Sequence, residues 1–463
     1  MSKLGSELNP LRVAIVGSGP SGFYALDYLL KSNIFTKVDM FDSLPTPYGL
    51  LRGGVAPDHQ KMKTVAKYYE RVAVKNADNF NFFGNVTIGK DITIDELRNY
   101  YDAIIFSYGA SSDRLTGLKG ESLKGIHSAR EFVAWYNGHP DFTNSKFDLT
   151  QENVIIIGQG NVAVDVARIL GKTVDELAVS DIPNPVIEQL AESKVKNIYM
   201  IGRRTVVQAA FTKMEIEELG HLADCDICIN PKDLILSPAN QIELEDSNKA
   251  QKNYQVLEEF AKNTNYNKSR KIILKFLYAP LSFLGSSVVS GMEFENVQLQ
   301  GDAFKQNIVN TGEYETIQSS LIFRSIGYKG TTIDGLPFDD KKGVIYNDKG
   351  QVLDASGNIC KGLFTSGWIK RGPSGVIGTN KPDSGETVET LLNAIETFSP
   401  AKFRHDTAMN ELLKQKNIQH FTFDDWLKID KIEVENGNQI GKPREKFTSV
   451  ESMLKVINTV SST

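Results

Sequence analysis

The chain is poor in the features that announce several common protein classes. It has three cysteines in 463 residues, Cys225, Cys228 and Cys360. That is too few for a disulfide framework. It is also too few for an iron–sulfur cluster of its own, which takes about four thiolates. Six histidines are present, none in an HxxxH or HExxH spacing, so no metal site is expected. Basic residues do not dominate: 52 Lys and Arg face 57 Asp and Glu, for a formal net charge of −5. A bulk nucleic-acid binder carries the opposite balance. No apolar run reaches the ~18 residues of a membrane span. The opening residues, MSKLGSELNP, lack the apolar stretch of a secretory signal and the arginines of a transit peptide. A cytoplasmic location is therefore expected, with the mitochondrial matrix as the alternative.

What is present is a repeated βαβ pattern. Arg12 to Val16 reads as an apolar strand, followed by a glycine turn and a helix over Phe23–Leu30, then a second strand from Lys37 to Asp42. Ala103–Phe106 is apolar at consecutive positions, as a buried parallel strand should be. The pattern restarts with a strand at Asn153–Ile157, a second glycine turn, a helix over Val162–Leu170 and a strand at Asn197–Ile201. From Leu222 to Phe323 the chain alternates like β-strands, with residues 240–268 a polar excursion of that region. A strand near Gly362–Ser366 and a Gly-rich turn over Arg371–Asn380 follow, and the chain beyond Pro400 reads as helices with an ordered tail.

Each glycine turn has the spacing of a phosphate cradle. The first is Gly17-Ser18-Gly19-Pro20-Ser21-Gly22, between strand and helix. There the first glycine makes the turn, the second admits a pyrophosphate and the third lets helix and strand pack closely. Asp42 ends the next strand, where a carboxylate accepts ribose hydroxyls and repels a 2′-phosphate, so this site suits FAD or NAD. The second is Gly158-Gln159-Gly160-Asn161-Val162-Ala163. Its next strand ends in Gly202-Arg203-Arg204, and two guanidinium forks suit a 2′-phosphate, so this unit reads as the NADP(H) site. A solvated loop pair is the plain alternative for the two arginines. An FAD-type cradle followed by an NADP-type cradle implies hydride transfer into flavin, a step that needs no side-chain acid or base.

Longer strings carry a family resemblance. They are PTPYGLLRGGVAPDH (45–59), GNVTIGKDIT (84–93), SYGA (107–110), SAREFVAWYNG (128–138), IIIGQGNVAVDVARIL (155–170), GRRTVVQAAFTKMEIEEL (202–219), FRSIGYKG (323–330) and SGWIKRGPSGVIGTNKPDSGETVETL (366–391), with a weaker echo in GKPREKF (441–447). In this order they resemble the adrenodoxin reductase family and its bacterial NADPH–ferredoxin reductases. The resemblance implies an α/β fold of two doubly wound, Rossmann-like dinucleotide-binding domains. The FAD domain would be built from residues 1–110 and 328–463, and the NADP domain, 111–327, inserted between. It implies FAD contacts at Gly17, Gly19, Ser21, Gly22, Asp42, Leu50, Val86, Trp368, Gly375, Val376 and Ile377. It implies NADP contacts at Gln159, Gly160, Asn161, Val162, Arg203, Arg204, Glu215 and Gly375. Trp368 also reads as a core aromatic, and Glu215 sits in a stretch that otherwise reads as a surface helix. His59 and Asp165 match residues near the flavin considered for electron or proton handling; neither is assigned as an acid–base catalyst, and His59 also reads as a structural histidine.

The chain departs from the family at Asp42, where Glu is usual, at Ser21, where Ala is usual, and at RRTVVQAAF, where an RRGP-like string is usual. The implied activity is electron transfer from NADPH through FAD to a ferredoxin. An oxygen-using flavin oxidase or monooxygenase is the alternative enzyme, and a flavin-stabilised interaction protein the non-enzymatic one. An acidic ferredoxin would dock on local cations, with Lys61, Lys63, Lys67, Arg371 and Lys381 as candidates. Cys225-Asp226-Ile227-Cys228 has redox-disulfide spacing, but the string reads as a strand, which puts the two thiols on opposite faces.

Overall fold

A computed structural model describes residues 3–460. Two largely parallel sheets organise it. The first has seven strands, in the order Asn347–Asp348, Gln351–Leu353, Ile359–Thr365, Ala103–Phe106, Leu11–Val16, Thr36–Asp42 and Phe80–Gly84. Its last five are mutually parallel. Leu11–Val16 and Ala103–Phe106 are buried at every position, which is why they read as unbroken apolar runs rather than alternating ones. The second sheet has six parallel strands, in the order Ile126–Ser128, Leu321–Arg324, Asn153–Ile157, Asn197–Ile201, Arg270–Lys275 and Cys225–Ile229. All of them lie between residues 126 and 324, so this unit is inserted into the chain that builds the first. The architecture is the expected α/β pair of Rossmann-like units.

A three-stranded antiparallel sheet, Tyr278–Gly285, Val289–Gln300 and Asn307–Gln318, lies against the second unit. Its Phe283, Met292 and Phe294 share an apolar cluster with Ile155, Ile157 and Ile322 of the parallel strands.

Residues 240–268 depart from the sequence reading. Most of this stretch is helical, in Pro238–Asp246 and Asn248–Ala261. Ser237 caps the first helix by accepting the Asn240 amide, with Pro238 at its first position, and Ser247 caps the second by accepting the Ala250 amide. Leu244, Ala250, Val256 and Leu257 are the sparse apolar face that packs inward.

The first glycine helix, Pro20–Leu30, lies against the helix Asn380–Asn393, where a Cβ on Gly385 would come within 3.0 Å of Tyr28. The tail closes the molecule. Glu433 on the helix Phe423–Gln439 is fully buried and receives both guanidinium nitrogens of Arg52, at 2.8 and 2.5 Å, and one from Arg444 at 3.1 Å. The following irregular segment reaches the inserted unit. Lys446 meets Asp181 at 3.2 Å, Lys442 donates to the Ile182 carbonyl, and Thr143 donates to the Thr448 carbonyl at 2.6 Å. GKPREKF therefore straps the two units together. Among the described residues no helix is long and apolar enough to cross a membrane.

Candidate functional site

The first cradle forms where the strand Leu11–Val16 turns into the helix Pro20–Leu30. Gly17 has φ +105°, and a Cβ there would lie 2.6 Å from the Tyr108 backbone. A Cβ on Gly22 would lie 2.2 Å from the Gly17 carbonyl oxygen, so this glycine is what lets helix and strand close up. Gly19, by contrast, has nothing within 4 Å of its Cβ position. It caps a helix with no side-chain cap and no acid in the first turn. Open space in front of uncapped helix amides fits a pyrophosphate.

Asp42 stands at the end of the neighbouring strand. Its carboxylate accepts the Ser18 amide at 2.9 Å, the Ser18 hydroxyl at 2.5 Å and the Leu44 amide at 2.9 Å. The shorter side chain thus ties down the glycine turn. Burial raises its pKa above the ordinary carboxylate value, against those hydrogen bonds.

The Ser21 side chain points away from this opening. Its hydroxyl lies 2.6 Å from that of Ser366 and 3.0 Å from that of Ser384, in a buried serine triad. The triad holds the segment 366–377 beside the first cradle. Gly367 has φ +79°, and a Cβ there would meet the Ser21 side chain at 2.8 Å. Trp368 lies at the start of a short helical turn, its ring 5.6 Å from that of Tyr328, and its indole N–H donates to the Ser374 carbonyl. Gly375 has φ +81° with its Cβ position 2.6 Å from Thr379 Oγ1, so a side chain there would both strain and clash. Val376 is 65% exposed and Leu50 40% exposed, two large apolar side chains left uncovered beside the cradle, whereas Val86 is buried.

The second cradle repeats the design. Gly158 has φ +131° and its Cβ position lies 2.2 Å from the Ser325 carbonyl oxygen, while Gly160 again faces open space and caps the helix Asn161–Gly171 without a side-chain cap or a first-turn acid. Gln159 donates to the Lys275 carbonyl at 2.9 Å, and Asn161 accepts the Thr212 amide at 2.8 Å. Arg203 and Arg204 follow the strand Asn197–Ile201 and are exposed, with no ion-pair partner among the described residues. Two free guanidinium groups at that strand end fit a 2′-phosphate.

Between the cradles lies an ionic cluster. The segment 48–59 starts on the first cradle, where the Tyr48 amide donates to the Ser18 carbonyl, and ends at Asp58 and His59. Arg168, on the helix of the second cradle, is 1% exposed. It donates to Asp58 at 2.8 and 3.0 Å. It also contacts Asp165 at 2.8 Å, off line for a hydrogen bond, and lies 3.6 Å from both Glu215 and Glu218. His59 Nε2 lies 2.6 Å from Glu218 and 3.7 Å from Glu215. Lys172 completes the set, 2.9 Å from Asp58.

Four carboxylates thus face two permanent cations. Burial and the nearby Asp165 push Glu215 up to about 7. Burial also raises Asp165, against Arg168. Burial opposes charge on His59, but the Glu218 hydrogen bond together with the charges of Asp165 and Glu215 outweighs it and raises the imidazole. Asp58 moves the other way: Arg168 and Lys172 overcome burial and hold it well below the ordinary range. Several buried atoms here lack a hydrogen-bond partner, among them His59 Nδ1, Glu215 Oε2, Arg168 Nη1 and the Tyr136 hydroxyl. Such a concentration of unsatisfied groups marks a site built to receive a polar ligand. Donor atoms of His59, Asp165 and Glu215 lie within 4.8 Å of one another, as do those of Asp58, His59 and Glu218, but the Arg168 guanidinium already supplies a cation to these carboxylates.

Comparison with known proteins decides the family. The chain is 41% identical, over 96% of its length and 95% of the relative, to the mitochondrial NADPH:adrenodoxin oxidoreductase of Arabidopsis thaliana. It belongs to the adrenodoxin reductase family. It is 39% identical, over 96% of its length and 98% of the relative, to the NADPH-ferredoxin reductase FprA of Mycobacterium leprae. Among solved structures, Mycobacterium tuberculosis FprA in complex with NADPH matches with a TM-score of 0.90 at 38% identity, covering 97% of this chain and 99% of that one. No family model matches the chain.

Within this family frame, some residues sit differently from the sequence reading. Glu215 is 5% exposed and faces the ionic cluster, so its helix, Lys213–Glu218, is not a plain surface helix. Lys63 is unsuited to docking, because its ammonium is buried in a pair with Asp181 at 2.7 Å. Arg371 is drawn inward toward Asn380 and Asp383, whereas Lys61, Lys67 and Lys381 are exposed. Cys225 and Cys228 are free thiols on one strand, as expected, and burial pushes them up to about 12 and about 11. Sequence reasoning missed Asp58, Arg168, Lys172 and Glu218. The available signal was Arg168 itself, a charged residue inside the otherwise apolar VARIL, three residues after Asp165.

Proposed function

We propose that the chain is an NADPH–ferredoxin reductase that takes hydride from NADPH and passes single electrons to an iron–sulfur ferredoxin. The observation that carries this reading is the pairing of two open glycine cradles, the first beside Asp42 and the second beside free Arg203 and Arg204. FAD, when bound, supplies the step from a two-electron donor to a one-electron acceptor.

The chain's own groups bind and orient. Gly17, Gly19, Gly22 and the amide of Ser21 would hold the FAD pyrophosphate, with Asp42 on the ribose and Leu50, Val86, Trp368, Gly375, Val376 and Ile377 around the ring system. Gln159, Gly160, Asn161 and Val162 would hold the NADP(H) pyrophosphate, Arg203 and Arg204 its 2′-phosphate, and Glu215 and Gly375 the nicotinamide end. In this reading residues 1–110 with 328–463 form the FAD domain and 111–327 the NADP domain. His59 and Asp165 serve the ionic cluster and are auxiliary. The partner surface draws on Lys61, Lys67 and Lys381. The free thiols suit a reducing compartment, and we place the protein in the cytoplasm.

The test is steady-state cytochrome c reduction by NADPH, with and without a [2Fe–2S] ferredoxin, while oxygen uptake is followed. Strong ferredoxin dependence that weakens with added salt supports the reading. Rapid oxygen consumption unaffected by ferredoxin refutes it and favours an oxidase or monooxygenase.

A further inference from the structure

We propose that Arg168 is a positioning residue for NADPH oxidation: its guanidinium locks Asp58, Asp165, Glu215 and Glu218 into one arrangement and so fixes the His59–Glu215 pair relative to the second cradle. The inference rests on the reductase reading above. Three separate segments meet on this one side chain. Asp165 belongs to the second-cradle helix Asn161–Gly171, as Arg168 does. Asp58 ends the segment that leaves the first cradle and directly precedes His59. Glu215 and Glu218 lie on or end the helix Lys213–Glu218, which is tied to the second cradle through Thr212 and Asn161. A buried cation persists only where its partners are in place, so all three segments are held in register by it.

The geometry needs arginine. Nε and Nη2 together grip Asp58, Nη2 also reaches Asp165, and Nη1 is directed toward Glu215. A lysine ammonium is a point charge and cannot make this fork. Nη1 and Glu215 Oε2 lack hydrogen-bond partners although they belong to residues 3.6 Å apart, a contact left to tighten when substrate arrives. Removal of hydride leaves a positively charged nicotinamide, which a correctly placed Glu215 carboxylate favours. Arg168 touches no reacting atom; it sets where that carboxylate stands. The charged and titratable groups around it are Asp58, Lys172, Asp165, Glu215, Glu218 and His59, with the Tyr136 hydroxyl facing Asp165 and Arg168 from the helix Ala129–Tyr136.

The experiment compares holoenzymes of the wild type, Arg168→Lys and Arg168→Met by anaerobic stopped-flow flavin reduction with NADPH from pH 5.5 to 9. The limiting rate should fall on the order of 10²-fold in the lysine variant, as expected when reacting groups are misplaced by about 1 Å. NADPH affinity should change by less than about threefold, because the cradle and Arg203 and Arg204 are untouched. In the methionine variant the pH inflection should also move upward, since Glu215 and Asp165 lose their cation. Asp58→Asn, which loosens the grip from the other side, should lower the rate in the same direction. A lysine variant with normal rate and normal pH profile overturns the inference. So does a slowed methionine variant whose inflection stays where the wild type's is, because that is mere structural damage. A wild-type flavin that NADPH fails to reduce overturns the reductase reading and this inference with it.

Discussion

Replacing Glu433 by glutamine should expose how the tail holds the molecule. The Glu433 carboxylate is fully buried and accepts from Arg52, Arg444 and the Phe447 amide. Arg52 belongs to the short helix Leu50–Gly53 beside the first cradle and also stacks 5.0 Å over the Trp426 ring. Glutamine keeps the shape but removes the charge, and one of its two ends becomes an N–H donor facing a guanidinium. Breaking a buried ion pair on one side costs about 3–5 kcal/mol. For a cooperative unit of roughly 200 residues that lowers Tm by about 6–20 °C.

The pH dependence has a definite sign. Burial alone would raise the Glu433 carboxyl, yet Arg52 and Arg444 outweigh it and hold the folded-state pKa below the ordinary 4.5. Its contribution is therefore fully present above that ordinary value and disappears as pH falls through the folded value. Differential scanning calorimetry at pH 7 and along an acid series reads both effects. A Tm loss under about 2 °C at pH 7, or a gap between wild type and variant that stays constant into strong acid, refutes the reasoning.

Three further outcomes follow from the site. Arg203→Ala and Arg204→Ala should each lose about 1.5–3 kcal/mol of phosphate binding, raising KM for NADPH roughly 10- to 150-fold with little change for NADH; equal losses for both nucleotides would contradict the 2′-phosphate role. Gly19→Ala should leave apoprotein stability near wild type yet purify with less FAD, because only open space faces its Cβ position, whereas Gly22→Ala should impair folding itself, its Cβ position lying 2.2 Å from a carbonyl oxygen. Paired flavin-content and thermal-unfolding measurements separate the two. Glu215→Gln should gain stability relative to wild type as pH rises from 4.5 to about 7, because wild-type burial favours the protonated carboxyl and that advantage is lost through its folded value; a stability difference flat across this range would show that Glu215 is not held protonated.

The two cradles were legible because their glycines answer purely local demands: positive φ at Gly17 and Gly158, and a close backbone approach at Gly22. The unbroken apolar strands were legible for the same reason, and so was the strand carrying Cys225 and Cys228. The helices over 238–261 were not, although Ser237-Pro238 is a fair start signal, because an Asn-, Gln- and Lys-rich stretch hides its narrow apolar face. Most of the ionic cluster was illegible for a different reason. Asp58 and Arg168 are 110 residues apart, and Arg52 and Glu433 are 381 apart. Such pairings arise from how distant segments and the two units come together, which no local period or spacing encodes. Lys63, offered as a docking charge, and Glu215, in a stretch that otherwise reads as a surface helix, show the consequence: the docking buries both.

The central claim, that electrons pass from NADPH through this chain to a ferredoxin, is tested most directly by an anaerobic single-turnover experiment. The FAD-loaded protein is mixed with one equivalent of NADPH and two of oxidised [2Fe–2S] ferredoxin, and flavin and iron–sulfur absorbance are followed together. The account predicts that the flavin bleaches first and that both ferredoxins are then reduced, with NADH far less effective at the same concentration. A flavin that NADPH reduces but that never passes electrons to ferredoxin, or one that NADH reduces equally well, would contradict it.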